Sequence, residues 1–168
     1  MSWRRIAPEE LGNAMKMIGK DWMLIVAKDE KENKVNGMTA SWGFLGIMWN
    51  QPVAVCMIRP QRYTYGLAEA EERMSLAFFS EEYRDALRLC GTKSGRDCDK
   101  LAEAGLSTEE LDGVPVIREA ETVLVCRKLY AGDLIKEGFL DPSLLAHYKQ
   151  EDYHRMYVCK IEGAYVKE

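Results

Sequence analysis

Histidine is scarce in this chain of 168 residues, which holds only His147 and His154. The five cysteines show no C-x-x-C spacing, so the common structural zinc sites lack a donor set. Their number is odd, and Cys56 and Cys126 lie inside apolar runs, which favours free buried thiols over a disulfide framework. We therefore expect no metal site and a reducing, cytoplasmic environment.

Several functional signatures are also absent. The sequence has neither the G-x-G-x-x-G of a Rossmann site nor the G-x-x-x-x-G-K-[ST] of a P-loop. It has no G-x-S-x-G elbow, which leaves a hydrolytic triad unsupported. No run approaches the about 20 apolar residues of a membrane span, and the N-terminus lacks the apolar region of a secretory signal. The formal net charge of −4 argues against a nucleic-acid partner. Together with the lack of a long apolar run, this leads us to expect neither a membrane nor a nucleic acid as a partner.

What the sequence contains is a series of short apolar runs bounded by glycine, proline and charge. We predict strands at 22–28, 35–49, 52–60, 74–79, 114–130 (two strands) and 153–166. We predict helices at 8–15, 64–72, 81–90, 98–105 and 142–148. Ser107 and Glu110 have the spacing of a capping box and predict one more short helix. Without βαβ alternation, repeats or a linker, residues 1–168 are expected to form one domain with an antiparallel Greek-key or barrel core.

One predicted strand region combines an Asn-Gly pair with small side chains. Thr39, Ala40 and Ser41 would let a planar ring lie against their backbone, and their N–H groups and hydroxyls suit ring carbonyls and nitrogens. The alternative is a solvent-facing strand with an ordinary hairpin turn at Asn36. Glycines at 37, 43 and 46 predict bends or close approach by another group.

Cations follow the next apolar run. Arg59 and Arg62 can converge on one anion, because guanidinium groups bind phosphate in a bidentate manner. Thr64 lies where a helix would begin, and free N–H groups at such a position bind phosphate. The alternative is two solvated arginines and a threonine N-cap. The loop 93–97 (KSGRD) has the cations, hydroxyl and glycine to close over a phosphate, although most such loops are polar connections.

The histidines differ in their expected roles. His154 begins the last predicted strand, where it can reach a ring or a substrate and is expected to titrate near neutrality. The alternative is a histidine that is simply hydrogen-bonded. His147 is expected on the surface of a short helix.

Taken in order, these segments resemble the flavin reductase-like family of FMN-binding split barrels, which includes flavoredoxin. The resemblance covers nearly the whole chain and is carried by VNGMTASWG, PVAVCMIRPQRYTYGLAEA, FFSEEYRDALRLCGTKSGRDCDKLAEAGL and DYHRMYV. It implies a mainly β fold with helical insertions, built as a six-stranded antiparallel Greek-key split barrel. It also implies a homodimer with one FMN per subunit near the interface.

The resemblance further implies which residues hold the cofactor. Residues 36–42 would cradle the isoalloxazine, and the cationic residues with the loop 93–96 would hold the phosphate and ribityl. The implied set is Asn36, Met38, Thr39, Ala40, Ser41, Trp42, Arg59, Arg62, Tyr63, Thr64, Lys93, Ser94, Gly95 and Arg96. The cofactor carries the chemistry, so no catalytic side chain is required, and His154 is a candidate. Cys159 and Lys160 depart from the family pattern, where a glycine and frequently an acid occur.

The function implied by the resemblance is an NAD(P)H-dependent flavin reductase that passes electrons through bound flavin to an acceptor, which can be a protein. Two alternatives stay open. One is a flavoredoxin-like FMN electron-transfer protein with little direct NAD(P)H oxidation. The other is a flavin-binding protein without catalysis.

Overall fold

The computed structural model describes residues 2–168, which form ten β-strands, three α-helices and several shorter helical turns. The strands are β1 (Trp3–Ile6), β2 (Met23–Asp29), β3 (Lys34–Ala40), β4 (Gly43–Met48), β5 (Gln51–Ile58), β6 (Arg73–Phe78), β7 (Thr108–Leu111), β8 (Val114–Ile117), β9 (Thr122–Asp133) and β10 (Arg155–Lys167). The helices are α1 (Tyr63–Ala70), α2 (Arg84–Thr92) and α3 (Lys100–Glu103). A π-helical segment spans Lys16–Asp21, and 3-10 turns span Pro8–Glu10, Glu81–Tyr83, Lys136–Gly138 and Pro142–His147.

Eight strands form one antiparallel sheet in the order β3-β2-β6-β9-β10-β5-β4, with β1 also paired to β10. The 13 residues of β10 shift register twice along β9, once after Val158 and again before Gly163. The first part of β10 can therefore pair with β5 and its last part with β1. The bend predicted at Gly163 corresponds to the second shift.

The core lies on both faces of this sheet. Alternate residues of a strand point to opposite faces, so Ile25 of β2 enters one apolar cluster while Leu24 and Val26 enter the other. Both faces of β2 are covered, which explains why its sequence reads as a continuous apolar run rather than an alternating one. The hairpin of β7 and β8 adds to the second cluster, and Ser75 of β6 donates a hydrogen bond to the carbonyl of Pro115.

The predicted split-barrel class is confirmed, but the number of strands in the sheet is eight rather than six. One extra strand is β1, whose sequence WRRI has too little apolar pattern to be recognised. It forms because its residues pair with the other end of the chain, as Trp3 does with Lys167. The predicted run 35–49 is in fact two strands, separated at Ser41 and Trp42.

Two helical predictions are corrected. The helix predicted at Ser107 is wrong, because this segment forms β7. The Ser107 backbone N–H and hydroxyl donate to Glu119 at 2.8 and 2.5 Å, so the capping partner Glu110 is not used. The helix predicted over 8–15 is a 3-10 turn that ends at Glu10, followed by the π-helical segment.

The cysteines are free thiols, and Cys56, Cys90, Cys126 and Cys159 are buried. The neighbouring Cys159 thiol and burial raise the pKa of Cys56, and burial raises the pKa of Cys126. These groups therefore behave as small apolar residues, as predicted for Cys56 and Cys126. Among residues 2–168, no cluster of three metal-ligating side chains was found. The helices of the same residues are too short or too polar to cross a bilayer.

Two of the three glycines in the 35–49 region are required by close approach. A Cβ added at Gly37 would lie 2.7 Å from Cδ2 of Leu24, and one added at Gly43 would collide with the carbonyl of Val55. Gly46 has open space around it, so the predicted close approach does not occur there.

Gly37→Ala is expected to lower the free energy of unfolding by about 1–3 kcal/mol, because the new methyl overpacks the core beside Leu24. Gly66→Ala is the matched control, since Gly66 is exposed within α1 and no atom lies within 4 Å of its added Cβ. It is expected to raise the same free energy by roughly 0.5–1 kcal/mol. Urea denaturation measures both, and equal effects of the two variants would contradict the packing argument.

Candidate functional site

A cleft of about 230 Å³ opens where β3 ends and β4 begins. It is lined by residues 38–42, Met57, Arg59, Arg62 and His154. The sheet brings these distant segments together, because the pairing of Ile58 with Arg155 places Arg59 beside His154. The predicted ring-binding segment, two predicted arginines and the candidate histidine therefore share one cleft.

The wall formed by β3 offers main-chain groups. In the part of the chain that the structure describes, β3 pairs with β2 alone, so about half of its N–H and C=O groups point away from the sheet. The Thr39 hydroxyl donates to the carbonyl of Leu87 at 2.6 Å and ties this strand to α2. The contribution of Thr39 and Ala40 to the cleft is therefore a small surface with a free backbone edge, which suits a planar ring.

Two cations lie near each other at this site, the half-buried Arg62 and the buried Lys100. The Nη2 atom of Arg62 is buried and has no hydrogen-bond partner among residues 2–168, and burial lowers the pKa of Arg62. Lys100 is 2% exposed, and its Nζ donates to the carbonyls of Cys90 at 2.9 Å and Lys93 at 3.2 Å. Burial and then the charge of Arg62 lower the pKa of Lys100 to about 8.

No carboxylate contributes to either of these two shifts. The carbonyls that bind Lys100 lie in and just after the last turn of α2, where the helix dipole favours a positive charge. They compensate Lys100 in part, but the free Nη2 of Arg62 remains unmatched. A buried donor without a partner costs about 1–3 kcal/mol, which an anion in the cleft would recover.

Asn36 and Thr64 complete this end of the site. They are 2% and 1% exposed, and the Asn36 Nδ2 donates to the Thr64 Oγ1 at 2.7 Å. Gly95 packs against Asn36 and against Tyr63, whose Cδ1 would lie 2.6 Å from an added Cβ. No side-chain hydrogen bond caps the start of α1 within the described residues, so its first N–H groups stay available to an anion. We call Asn36, Arg62, Thr64 and Lys100 the anion pole.

The remaining predicted phosphate contacts are engaged elsewhere. Arg59 donates to Asp152 at 2.6 Å and to the carbonyl of His147 at 3.0 Å, and its guanidinium lies 4.9 Å from the centre of the Tyr148 ring. Lys93 pairs with Glu103 at the surface.

Other polar residues of the loop 93–96 also form contacts within the protein. The Ser94 Oγ accepts from the backbone N–H of Arg96. Arg96 donates to the carbonyl of Gln61 at 3.2 Å and its guanidinium lies 5.4 Å from the centre of the Tyr63 ring. A phosphate role for this loop stays a prediction.

Sequence analysis did not identify Lys100 as a candidate site residue. Lysines are rarely buried, and this one follows two acidic positions in a segment that is otherwise a short polar helix. Its environment exists only because α3 packs against β3 and the end of α2. Asp152 and Tyr148 were missed for the same reason: their partner Arg59 is distant in sequence.

His154 also lines the cleft. Its Nδ1 is 2.8 Å from the Tyr148 hydroxyl, and its ring centre is 5.1 Å from that of Trp42. Burial and then the charge of Arg59 lower the pKa of His154 to about 4, so the prediction that it titrates near neutrality is wrong. His147 is exposed, as predicted, and meets Trp42 edge-on at 5.3 Å.

The donor set fits a phosphorylated planar ring such as FMN. The unpartnered Arg62 nitrogen and buried Lys100 suit the phosphate, and the open edge of β3 near Ala40 suits the ring. Of these cations, Arg62 lines the same cleft as residues 38–42.

Comparison with known proteins agrees with this reading. A family model described as "Flavin reductase like domain" matches residues 15–168. No curated protein matches the sequence. An FMN-binding protein from Thermus thermophilus with bound p-hydroxybenzaldehyde is similar in structure, with 22% identity, a TM-score of 0.67 and coverage of 88% of this chain and 71% of that one.

Two further solved structures share the fold. Flavoredoxin of Desulfovibrio vulgaris (Miyazaki F) has 18% identity, a TM-score of 0.69 and coverage of 88% of this chain and 69% of its own. The styrene monooxygenase flavin reductase from Pseudomonas putida S12 has 14% identity, a TM-score of 0.66 and coverage of 88% and 80%.

Asp152→Asn is expected to loosen the segment 134–153, because the carboxylate holds Arg59 and Gln61. Amide hydrogen exchange in that segment should become about tenfold faster at neutral pH, as for loss of a hydrogen bond to a charged group. Glu151→Gln is the matched control, since Glu151 is exposed and its pairing with Lys136 at 3.6 Å is at the surface. Exchange unchanged in Asp152→Asn would contradict the anchor.

The wild-type segment should also respond to acid. Hydrogen bonding from Gln61 and pairing with Arg59 lower the pKa of Asp152. A depressed pKa means that the stabilisation is complete above the ordinary aspartate value of about 3.9 and is lost as pH falls through the lower folded value. Protection of residues 134–153 is therefore expected to persist at pH 5 and to decline below about pH 4.

Proposed function

Because the chain belongs to the family of flavin reductase-like domains, we propose that it binds FMN and passes electrons from NAD(P)H through the bound flavin to an acceptor. The observation that carries this proposal is the anion pole, where the Nη2 atom of Arg62 and the side chain of Lys100 are buried without a carboxylate partner. When bound, FMN supplies hydride and electron transfer, and the protein supplies binding and orientation. We also propose that residues 1–168 form a single domain and that the protein is located in the cytoplasm.

Each part of the cleft has a task in this proposal. Arg62, Lys100, Thr64 and Asn36 bind the phosphate, with charge-assisted hydrogen bonds from the two cations. The backbone edge at Ala40 and Ser41 orients the ring, while Met38 and Met57 exclude water from it.

A second candidate is an FMN electron-transfer protein with little direct NAD(P)H oxidation. The structural similarity to flavoredoxin supports it, since the name of that protein indicates a redox carrier. A third is a flavin-binding protein without turnover, for which the FMN-binding protein from Thermus thermophilus is a structural parallel. The similarity to the styrene monooxygenase flavin reductase favours the reductase.

One experiment orders these candidates. The purified protein is titrated with FMN, and binding is followed by flavin fluorescence. The complex is then mixed with NADH or NADPH, with and without free flavin as acceptor, and oxidation is followed by nicotinamide absorbance. Rapid turnover supports the reductase, and reduction that requires a protein partner supports the carrier. Bound flavin that cannot be reduced leaves the third candidate, and no binding of FMN overturns all three.

Lys100→Met is expected to weaken FMN binding about 10- to 100-fold, as for loss of a hydrogen bond from a charged group, and to leave riboflavin affinity nearly unchanged. Wild-type affinity for FMN should also fall above about pH 8, since the free protein then holds Lys100 neutral and must take up a proton to bind phosphate. Isothermal titration with both ligands measures the effect.

Lys93→Met is the matched control for Lys100→Met, because Lys93 is exposed and paired with Glu103. It should leave both affinities unchanged. A larger loss from Lys93→Met than from Lys100→Met would move the phosphate site to the surface loop. Equal loss of FMN and riboflavin affinity in Lys100→Met would show damage to the fold instead.

We also propose that the protein forms a homodimer through β4. Among residues 2–168 this strand pairs with β5 alone. Phe44 and Met48 are exposed on one of its faces, Ile47 on the other, and Trp49 at the hairpin tip. Exposed apolar side chains along an edge strand favour contact with a second chain. The strand leads directly from Trp42, so an interface here would adjoin the cleft.

Ile47→Asp is expected to convert the dimer to a monomer, because a carboxylate would be buried in an apolar contact. Light scattering after gel filtration measures the mass. Leu140→Asp is the control, since Leu140 is 98% exposed on the segment 134–153 and lies outside β4. A wild-type protein that stays monomeric at high concentration would refute the dimer.

A further inference from the structure

His154, which lines the cleft, forms a buried pair with Tyr148. The two residues are 8% and 6% exposed, and the Tyr148 hydroxyl is 2.8 Å from Nδ1 of His154. Trp42 packs against the imidazole, and the guanidinium of Arg59 packs on the Tyr148 ring. Neither the family assignment nor the phosphate-binding argument requires this arrangement.

The hydrogen bond defines which ring nitrogen of His154 carries the proton. Burial raises the pKa of Tyr148, so the phenol keeps its hydrogen and needs an acceptor. Within the described residues, the hydrogen bond recorded for this hydroxyl is the one to Nδ1. If Nδ1 carried the proton, the buried phenol hydrogen would have no acceptor among residues 2–168, so the arrangement that satisfies both groups has the phenol donating and Nδ1 accepting. The hydrogen of the neutral imidazole is then on Nε2.

Nε2 is therefore the ring nitrogen of His154 that stays available to a ligand in the cleft, which His154 lines. We propose that His154 donates this Nε2–H to an acceptor atom of the flavin ring, and that Tyr148 is a positioning residue that selects the tautomer able to do so. This inference rests on the proposed function, because it concerns the same cleft and the same ligand. It assigns a role to a side chain that binding of the phosphate does not explain.

Burial and then the positive charge of Arg59 keep this donor neutral, and the charge of Asp152 opposes them. Arg59 follows β5, Asp152 and Tyr148 belong to the segment 134–153, and His147 contacts Trp42. Asp152 is committed to Arg59 at 2.6 Å and does not form a hydrogen bond with the imidazole. The site thus separates its functions: cations meet the phosphate, and an uncharged donor meets the ring.

Nitrogen NMR of the histidine side chains tests the inference, because the sequence contains only two histidines. In the free protein, His154 should show a single neutral tautomer with the proton on Nε2 from pH 5 upward, and a titration midpoint near 4 rather than the ordinary value of about 6.5. His147→Gln identifies the resonances. Addition of riboflavin or FMN should shift the Nε2–H resonance of His154, while the His147 resonances of the wild type serve as the internal reference.

Tyr148→Phe tests the positioning role. The variant should still bind FMN, judged by flavin fluorescence, but His154 should become a mixture of tautomers, and the FMN-induced shift of Nε2 should shrink. A variant that fails to fold leaves the wild-type measurement decisive.

Three outcomes would overturn the inference. FMN that binds by fluorescence without moving the Nε2–H resonance would remove His154 from the ring contact. A proton found on Nδ1 would reverse the direction of the Tyr148 bond and leave Nε2 without a hydrogen to donate. Absence of FMN binding would refute the proposed function together with this inference, and the fluorescence titration distinguishes that failure from the first two.

Discussion

The proposed site depends on one constraint: the buried Lys100 lies near the half-buried Arg62, and no carboxylate balances the two charges. Arg62 precedes α1 and Lys100 begins α3, and burial lowers the pKa of both groups. The carbonyls at the end of α2 compensate part of the charge, as the helix dipole allows. Because an uncompensated buried charge is costly, this pair of cations supports the anion site that we propose.

The long strand β10 brings together distant segments that line the cleft. Its register shifts let it pair with β9, β5 and β1, and its beginning carries His154 to the end of β5. There Arg59 binds Asp152 and packs on Tyr148, which fixes the segment 134–153 beside the cleft. Arg59, which was predicted to bind the phosphate, binds Asp152 in this structure, and in the proposed site Lys100 supplies a cation that the sequence analysis did not identify.

Local pattern was sufficient to predict most of the strands. The apolar runs located β2, β5, β6 and β10 within a few residues, and the residues 38–42 and Arg62 do share a cleft. What sequence could not predict was any feature decided by a distant partner. Ser107 donates to Glu119, and its segment forms a strand instead of the predicted helix. The sequence WRRI is a strand because it pairs with the end of β10, and Lys100 is buried because α3 packs against its neighbours.

The four buried thiols affect how the protein is inactivated once it unfolds. While the fold is intact, the raised pKa values of Cys56 and Cys126 keep these sulfurs protonated and away from oxidants. Opening of the sheet releases them, together with Cys98, into a single disordered chain where they can be oxidised or cross-linked. Heat inactivation in air would then be irreversible. The stability of the protein would be described better by its half-life, which lengthens when reductant is added, than by an equilibrium constant for unfolding.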